Sequence, residues 1–293
     1  MITTRNCKGF TLIELLVALT LFGVAMGTFC QIFLNQAEAY KMQARIVQRQ
    51  QGLRAALEII ARDFRSAGYP VLDHSFLTNL SAWIPNSFIP KAPQTVIPSG
   101  VVTITPGGTN PDVLSLLIVL SSETNPTILA QGALAGDTSL KLSVNASETN
   151  DQYNLYDLLY IGKPPELAQV KGISGQYLII DTDPLQSGNQ GLKKSYPEGT
   201  EVGEVSLISY AVFNDSNDSG GKYHDYGVPV LKRKINAGGF EPLAEGITDL
   251  KISLIKPELY LLQLSVGIDL PLDGSPTAKG KTLTLSTQIM KRN

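Results

Sequence analysis

Few of the chain's 293 residues have a type and spacing that could do chemistry. His74 and His224 are its two histidines, and neither stands beside a plausible Ser or Cys nucleophile motif. The pairs Gly107-Gly108, Gly220-Gly221 and Gly238-Gly239 sit in turn contexts without a phosphate-loop pattern. Asp215, Asn217 and Ser219, followed by Gly220, mimic the start of a calcium loop, which needs alternating oxygen donors before a glycine turn. Tyr226 stands where the closing bidentate Glu belongs, so the stretch reads as a solvated hairpin loop. Asp215 and Asn217 are its only metal candidates; no metal, no other cofactor and no enzymatic activity are expected. Lys232-Arg233-Lys234 reads as the exposed face of a strand. The residue that demands an explanation is Glu14, the single charge between Phe10 and Leu34. A carboxylate costs about 2.5–3.5 kcal/mol at the centre of a membrane helix, and somewhat less near an end.

The element that carries Glu14 runs FTLIELLVALTLFGVAMGTFCQIFL, 25 residues from Phe10 to Leu34. At about 1.5 Å per residue, a helix of this length crosses a hydrocarbon core of about 30 Å. Arg5 and Lys8 ahead of it favour a cytoplasmic N-terminus, while Lys41, Arg45 and Arg49 behind it oppose that orientation. No small-residue cleavage site follows Leu34, since Ala37 and Ala39 are isolated in a charged helix. Gly23 and Gly27 form a GxxxG pair, a spacing frequent in membrane helices, and no proline interrupts Phe10 to Ser66.

Past Leu34 the pattern becomes amphipathic. Tyr40, Ala44 and Val47 recur at helical spacing, as do Leu53, Leu57, Ile60, Ala61, Phe64 and Ala67, and Gly68-Tyr69-Pro70 supplies the stop. From Val71 the helical period disappears. Ten short β-rich runs follow, at 101–105, 113–120, 139–144, 158–162, 176–180, 204–213, 228–235, 247–255, 259–270 and 282–290, separated by Gly, Pro, Asn and Asp clusters. Too few helical stretches lie between them for a parallel α/β fold, so the expected class is α+β: a long N-terminal helix packed on a C-terminal sheet domain. With 43% hydrophobic and 17% charged residues the chain can bury a core. Residues 70–293 hold sixteen Lys/Arg against twenty-two Asp/Glu, which argues against electrostatic capture of nucleic acid. Cys7 and Cys30 are the only cysteines, so the sheet domain has no disulfide, which at this size does not argue against export.

Lys8-Gly9-Phe10-Thr11-Leu12-Ile13-Glu14 resembles the class III signal of type IV prepilins and pseudopilins. The resemblance implies that prepilin peptidase, a membrane aspartyl protease, cuts after Gly9 and that Phe10 becomes the N-methylated mature terminus. Glu14 is then the fifth mature residue, placed to neutralise the Phe10 amine of a neighbouring subunit in a filament core, where either charge alone would be strongly destabilising. The implied organisation is a leader at 1–9, a transmembrane and filament-core helix at 10–34, its amphipathic continuation at 35–69 and an exported β-rich domain at 70–293. Ala61-Arg62-Asp63-Phe64-Arg65-Ser66-Ala67-Gly68-Tyr69, the run VPVLKRKINAGGFEPLAEGI ending at Ile247, and Lys291-Arg292-Asn293 resemble PilW-type minor pilins in particular. That likeness implies a part in starting pilus assembly, with major and minor pilins and the inner-membrane assembly platform as partners. The implied location is a single-pass inner-membrane protein with a periplasmic domain, and then the pilus at the cell surface. J-type pseudopilins of type II secretion share the same features, and an adhesive or DNA-binding tip module is the alternative of a different class.

Overall fold

The computed structural model describes residues 12–67, 101–120, 127–143, 153–183, 186–213, 228–267 and 282–290. Helix α1 spans Leu12–Ser66, 55 residues without a proline or a break. At 1.5 Å per residue it is about 82 Å long. The chain divides into two compact units, Met1–Gln48 and Arg49–Asn293, and α1 contributes to both.

The second unit is built on antiparallel pairing. Its strands are β1 (Val102–Thr105), β2 (Val113–Leu120), β3 (Thr127–Ile128), β4 (Ser139–Lys141), β5 (Leu158–Ile161), β6 (Glu166–Ser174) and β7 (Tyr177–Asp181). They continue with β8 (Glu201–Phe213), β9 (Val230–Ile235), β10 (Glu241–Glu245), β11 (Ile247–Lys256), β12 (Leu259–Gly267) and β13 (Thr282–Met290). Ten of them form one sheet in the order β1-β2-β8-β5-β6-β7-β4, with β3 and the β9–β10 pair also attached through β8. β8 is the hub because its thirteen residues serve two partners on each side. Leu114–Leu120 of β2 and Thr127–Ile128 of β3 line one side; Leu158–Ile161 of β5 and Val230–Ile235 of β9 share the other. β11, β12 and β13 form a separate three-stranded sheet.

The main core lies between that small sheet, the large sheet and the last third of α1. Leu53, Ala56, Ile60, Ala61 and Phe64, spaced three and four apart, are buried there with Leu114, Leu116, Leu207, Leu250, Leu262, Leu264 and Ile289. A second cluster fills the β4–β7 end with Leu140, Leu159, Ile161, Val170, Leu178 and Ile180. From Arg49 onward α1 lies along β12. Arg49 Nη1 donates to the Gly267 carbonyl at 3.0 Å, and the Phe64 and Tyr260 rings meet with centroids 4.7 Å apart. Arg49 to Phe64 rises about 22 Å as helix, and Gly267 back to Tyr260 spans about 23 Å as strand, so the two elements match in length.

The α+β class and all ten β-rich runs expected from sequence are present. Three strands are additional. β3 has only two residues, β10 holds Pro242 between glutamates, and β6 buries Glu166 and Gln169 where an alternating pattern would place apolar residues. In the helix and just past its end, Leu53, Ile60, Ala61, Phe64 and Ala67 are buried as expected and Leu57 is packed against them, whereas Tyr40 and Val47 are exposed.

Candidate functional site

Two of the residues singled out from sequence, Gly9 and Phe10, lie outside the described residues, as do Asp215 and Asn217. Glu14 is described. It sits in the first turn of α1, where unpaired backbone N–H groups favour a carboxylate, and it is exposed. Around and after it, apolar side chains are exposed in every direction about the helix: Leu12 at 82%, Phe22 at 65%, Phe29 and Phe33 at 70%. The helix is long and apolar enough to cross a membrane. Two of its internal hydroxyls are accommodated as a nonaqueous setting requires. Thr20 and Thr28 donate their hydroxyls to the carbonyls of Val17 and Ala25, at 2.8 and 2.7 Å. At Gly23 and Gly27 an added Cβ would meet nothing within 4 Å, so the GxxxG face is open. Glu14 remains the one charge of Leu12–Leu34, in the first turn of the helix.

A polar network that the sequence reading missed lies under the far end of α1. Asp63 is 4% exposed, on the helix face that also carries Ile60 and Phe64. Its Oδ2 accepts from the Tyr210 hydroxyl of β8 and, at 2.8 Å, from Arg233 Nη2 of β9; Arg233 Nε donates to Tyr210 Oη at 3.1 Å. Burial first, and then the Asp63 charge, push the Tyr210 phenol well above its ordinary value. The run Lys232-Arg233-Lys234 is therefore not an exposed basic face. Arg233 is bound inward to Asp63, Lys234 is 9% exposed, and the Lys232 ammonium lies 4.9 Å from the Phe213 ring centre. The signal was present in the sequence: Asp63 falls on the apolar stripe, and a carboxylate there requires a cation.

A second carboxylate joins the loop before β2 to the small sheet. Asp112 accepts from the amides of Gly107 and Ile252, both at 3.0 Å. Lys251 Nζ donates to Asp112 at 3.2 Å and to the Gly108 and Asn110 carbonyls at 3.1 and 2.5 Å. A third group holds two acids near each other. Asp157 accepts the Asn154 amide at 2.6 Å, and Glu204 accepts from Ser206 Oγ at 2.9 Å and Asn236 Nδ2 at 2.8 Å. Both carboxyls titrate above their ordinary range. Burial is the main cause for each, and for Glu204 the neighbouring Asp157 charge adds to it. Among the described residues no three His, Cys, Asp or Glu side chains come together as a metal site. These networks fasten elements to one another. The feature placed to act on other molecules is the apolar helix with its terminal carboxylate.

A family model described as "Prokaryotic N-terminal methylation motif" matches residues 4–29, a stretch that holds Gly9, Phe10 and Glu14 and most of the apolar run. No curated protein and no solved structure matches the chain.

Proposed function

We infer from a methylation motif at residues 4–29, which overlaps the start of an exposed apolar helix, that the N-terminus is of the type IV prepilin kind. We propose that the chain is a minor pilin of the PilW type, cut after Gly9 by prepilin peptidase, N-methylated on Phe10 and built into a type IV pilus with other pilins. The observation that carries the reading is the motif running through the first turns of a helix whose apolar side chains are exposed among the described residues. Before assembly the helix anchors the chain in the inner membrane, with the N-terminus cytoplasmic and the sheet domain periplasmic. The pilus assembly platform then extracts it into the filament. No catalytic step is assigned to the sheet domain, and DNA capture has lost its one supporting feature, since Arg233 is bound to Asp63.

Cleavage creates an amine at Phe10, four residues before Glu14. In the bilayer Glu14 lies about one turn from the helix end and can reach the interface or take a proton. In a filament core it has neither option and pairs with a neighbour's amine instead. Breaking such a pair from one side typically costs about 3–5 kcal/mol. Mass spectrometry of the mature protein is expected to find methylated Phe10 as the first residue, and any other terminus refutes the reading. Glu14→Ala is expected to insert and be processed normally but to drop about a hundredfold or more in sheared filaments. Equal recovery of variant and parent would remove Glu14 from assembly.

A further inference from the structure

Leu178 and Ile180 of β7 turn into the second core cluster, while Tyr177 and Ile179 face outward, 42% and 38% exposed. Cross-strand partners share a face. The register therefore sets Lys141 and Ser139 of β4 beside these two residues on one flank, and Ser174 and Gly172 of β6 on the other. The Lys141 ammonium lies 5.9 Å from the Tyr177 ring centre, and Ser174 opposite is too short to cover the ring. Gly172 gives Ile179 room to lie across it, since a Cβ there would meet Ile179 Cδ1 at 3.0 Å. The ladder shifts register between Val170 and Gly172, and the extra residue is Lys171. Its ammonium stands 3.7 Å from Asp181 Oδ2, next on the same side of β7, and 5.6 Å from the Tyr156 ring centre. The result is a shallow face with a tyrosine at either end, an aliphatic floor between them and amine and hydroxyl groups along it.

Tyr156 carries the sharper signal. It is the third residue of the turn Asn154–Asp157, which the Asp157 amide closes on the Asn154 carbonyl at 3.2 Å, and its φ is 74°. Glycine or asparagine is the usual occupant there, because a Cβ crowds the backbone. The chain holds an aromatic residue in that strained place although it is 50% exposed, so packing recovers only part of the cost. Its amide donates to the Val170 carbonyl at 2.7 Å. That sets it two strand spacings across and three residues along from Tyr177, roughly 14 Å between Cα atoms. Lys171 is matched by Asp181, and residues 70–293 hold sixteen Lys/Arg against twenty-two Asp/Glu, so a polyanion is not favoured here. Two half-exposed rings on one shallow, polar-edged face suit a sugar chain. Sugar C–H groups lie on the negative face of a tyrosine ring, and sugar hydroxyls take the lysine and serine hydrogen bonds. We propose that this face binds an uncharged, β-linked polysaccharide, with Tyr156 and Tyr177 each under a flat sugar face. Both rings stand on one side of the sheet, so an extended chain reaches both and a coiled one does not.

The test uses the full chain in a detergent without sugar headgroups, with calorimetry for affinity and saturation-transfer NMR for the sugar protons in contact. The probe is cellotetraose. It is compared with maltotetraose, whose α-links curl the chain, and with a single-stranded oligothymidylate. Cellotetraose is expected to bind with transfer to its ring C–H protons, and the other two to bind about tenfold more weakly or worse. Tyr156→Gly relieves the backbone at φ 74°, so melting should hold or rise while affinity falls about tenfold. Tyr177→Thr keeps a strand-forming residue and is expected to lose a similar amount. Tyr40→Ala, at an exposed tyrosine of α1, should leave binding unchanged. Four results would overturn the proposal. They are no transfer to cellotetraose, equal binding of maltotetraose, equal or tighter binding of the oligothymidylate, and parental affinity in either Tyr156→Gly or Tyr177→Thr.

Discussion

Asp63 shows how a single residue in this chain combines a cost with a use. A carboxylate 4% exposed would be prohibitive alone, yet two donors from two different strands meet it, so it ties the end of α1 to β8 and β9 at once. Asp63→Ala leaves the largely covered Arg233 guanidinium and the buried Tyr210 hydroxyl without their acceptor, and is expected to cost about 3–5 kcal/mol in urea unfolding. Asp63→Leu combined with Arg233→Met should recover most of that loss, because removing both charges also removes their desolvation. A double variant no more stable than Asp63→Leu alone would show that the pair is not what the site depends on. Glu14 was legible from sequence because it breaks an apolar run. Asp63 was not picked out, because beside Arg62 and Arg65 it reads as one more solvent-facing charge of an amphipathic helix end. Its partner Arg233 lies 170 positions away, and only the fold brings it near.

Among elements, those whose sequence period coincides with burial were readable and the others were not. The last third of α1 and the ten β-rich runs fall in the first group. β6 does not, since Glu166 and Gln169 are buried there, and Glu166 accepts the Tyr196 hydroxyl at 2.9 Å and the Lys193 amide at 2.6 Å. Such residues look exposed in a sequence because the groups that satisfy them arrive from distant turns. The end of α1 is as much a part of the second unit as any strand. Burial of Leu53, Ile60 and Phe64 contributes about 1.5–3 kcal/mol each, together comparable with the whole stability of an ordinary domain. A chain truncated to begin at Glu38 is therefore expected to melt cooperatively by circular dichroism, and one truncated to begin at Pro70 to fail to fold. Equal melting of the two would mean that the helix face is dispensable, and Phe64→Ala, expected to cost about 3–5 kcal/mol, reports the same contact in the full chain.

At the scale of the whole molecule, two buried acids respond to pH in the opposite sense to carboxylates that a nearby cation stabilises. Asp157 and Glu204 both titrate above their unfolded values. The folded state then binds more protons than the unfolded state across that window, so the two acids lower stability as pH rises through it and release that penalty as pH falls toward about 4. The double variant Asp157→Asn with Glu204→Gln keeps an acceptor oxygen at each site. It is expected to melt above the parent at pH 7–8, with the difference closing near pH 4. A constant difference across that range would assign the effect to packing. The matched lengths of α1 and β12 have a consequence of a mechanical kind. The contacts of Arg49 with Gly267, of Asp63 with Arg233 and of Phe64 with Tyr260 are spread along one helix axis. Tension applied along that axis at Arg49 loads them side by side, in shear, so that they must fail together. Peeled sideways from one end, the same contacts would open one after another under a much smaller force.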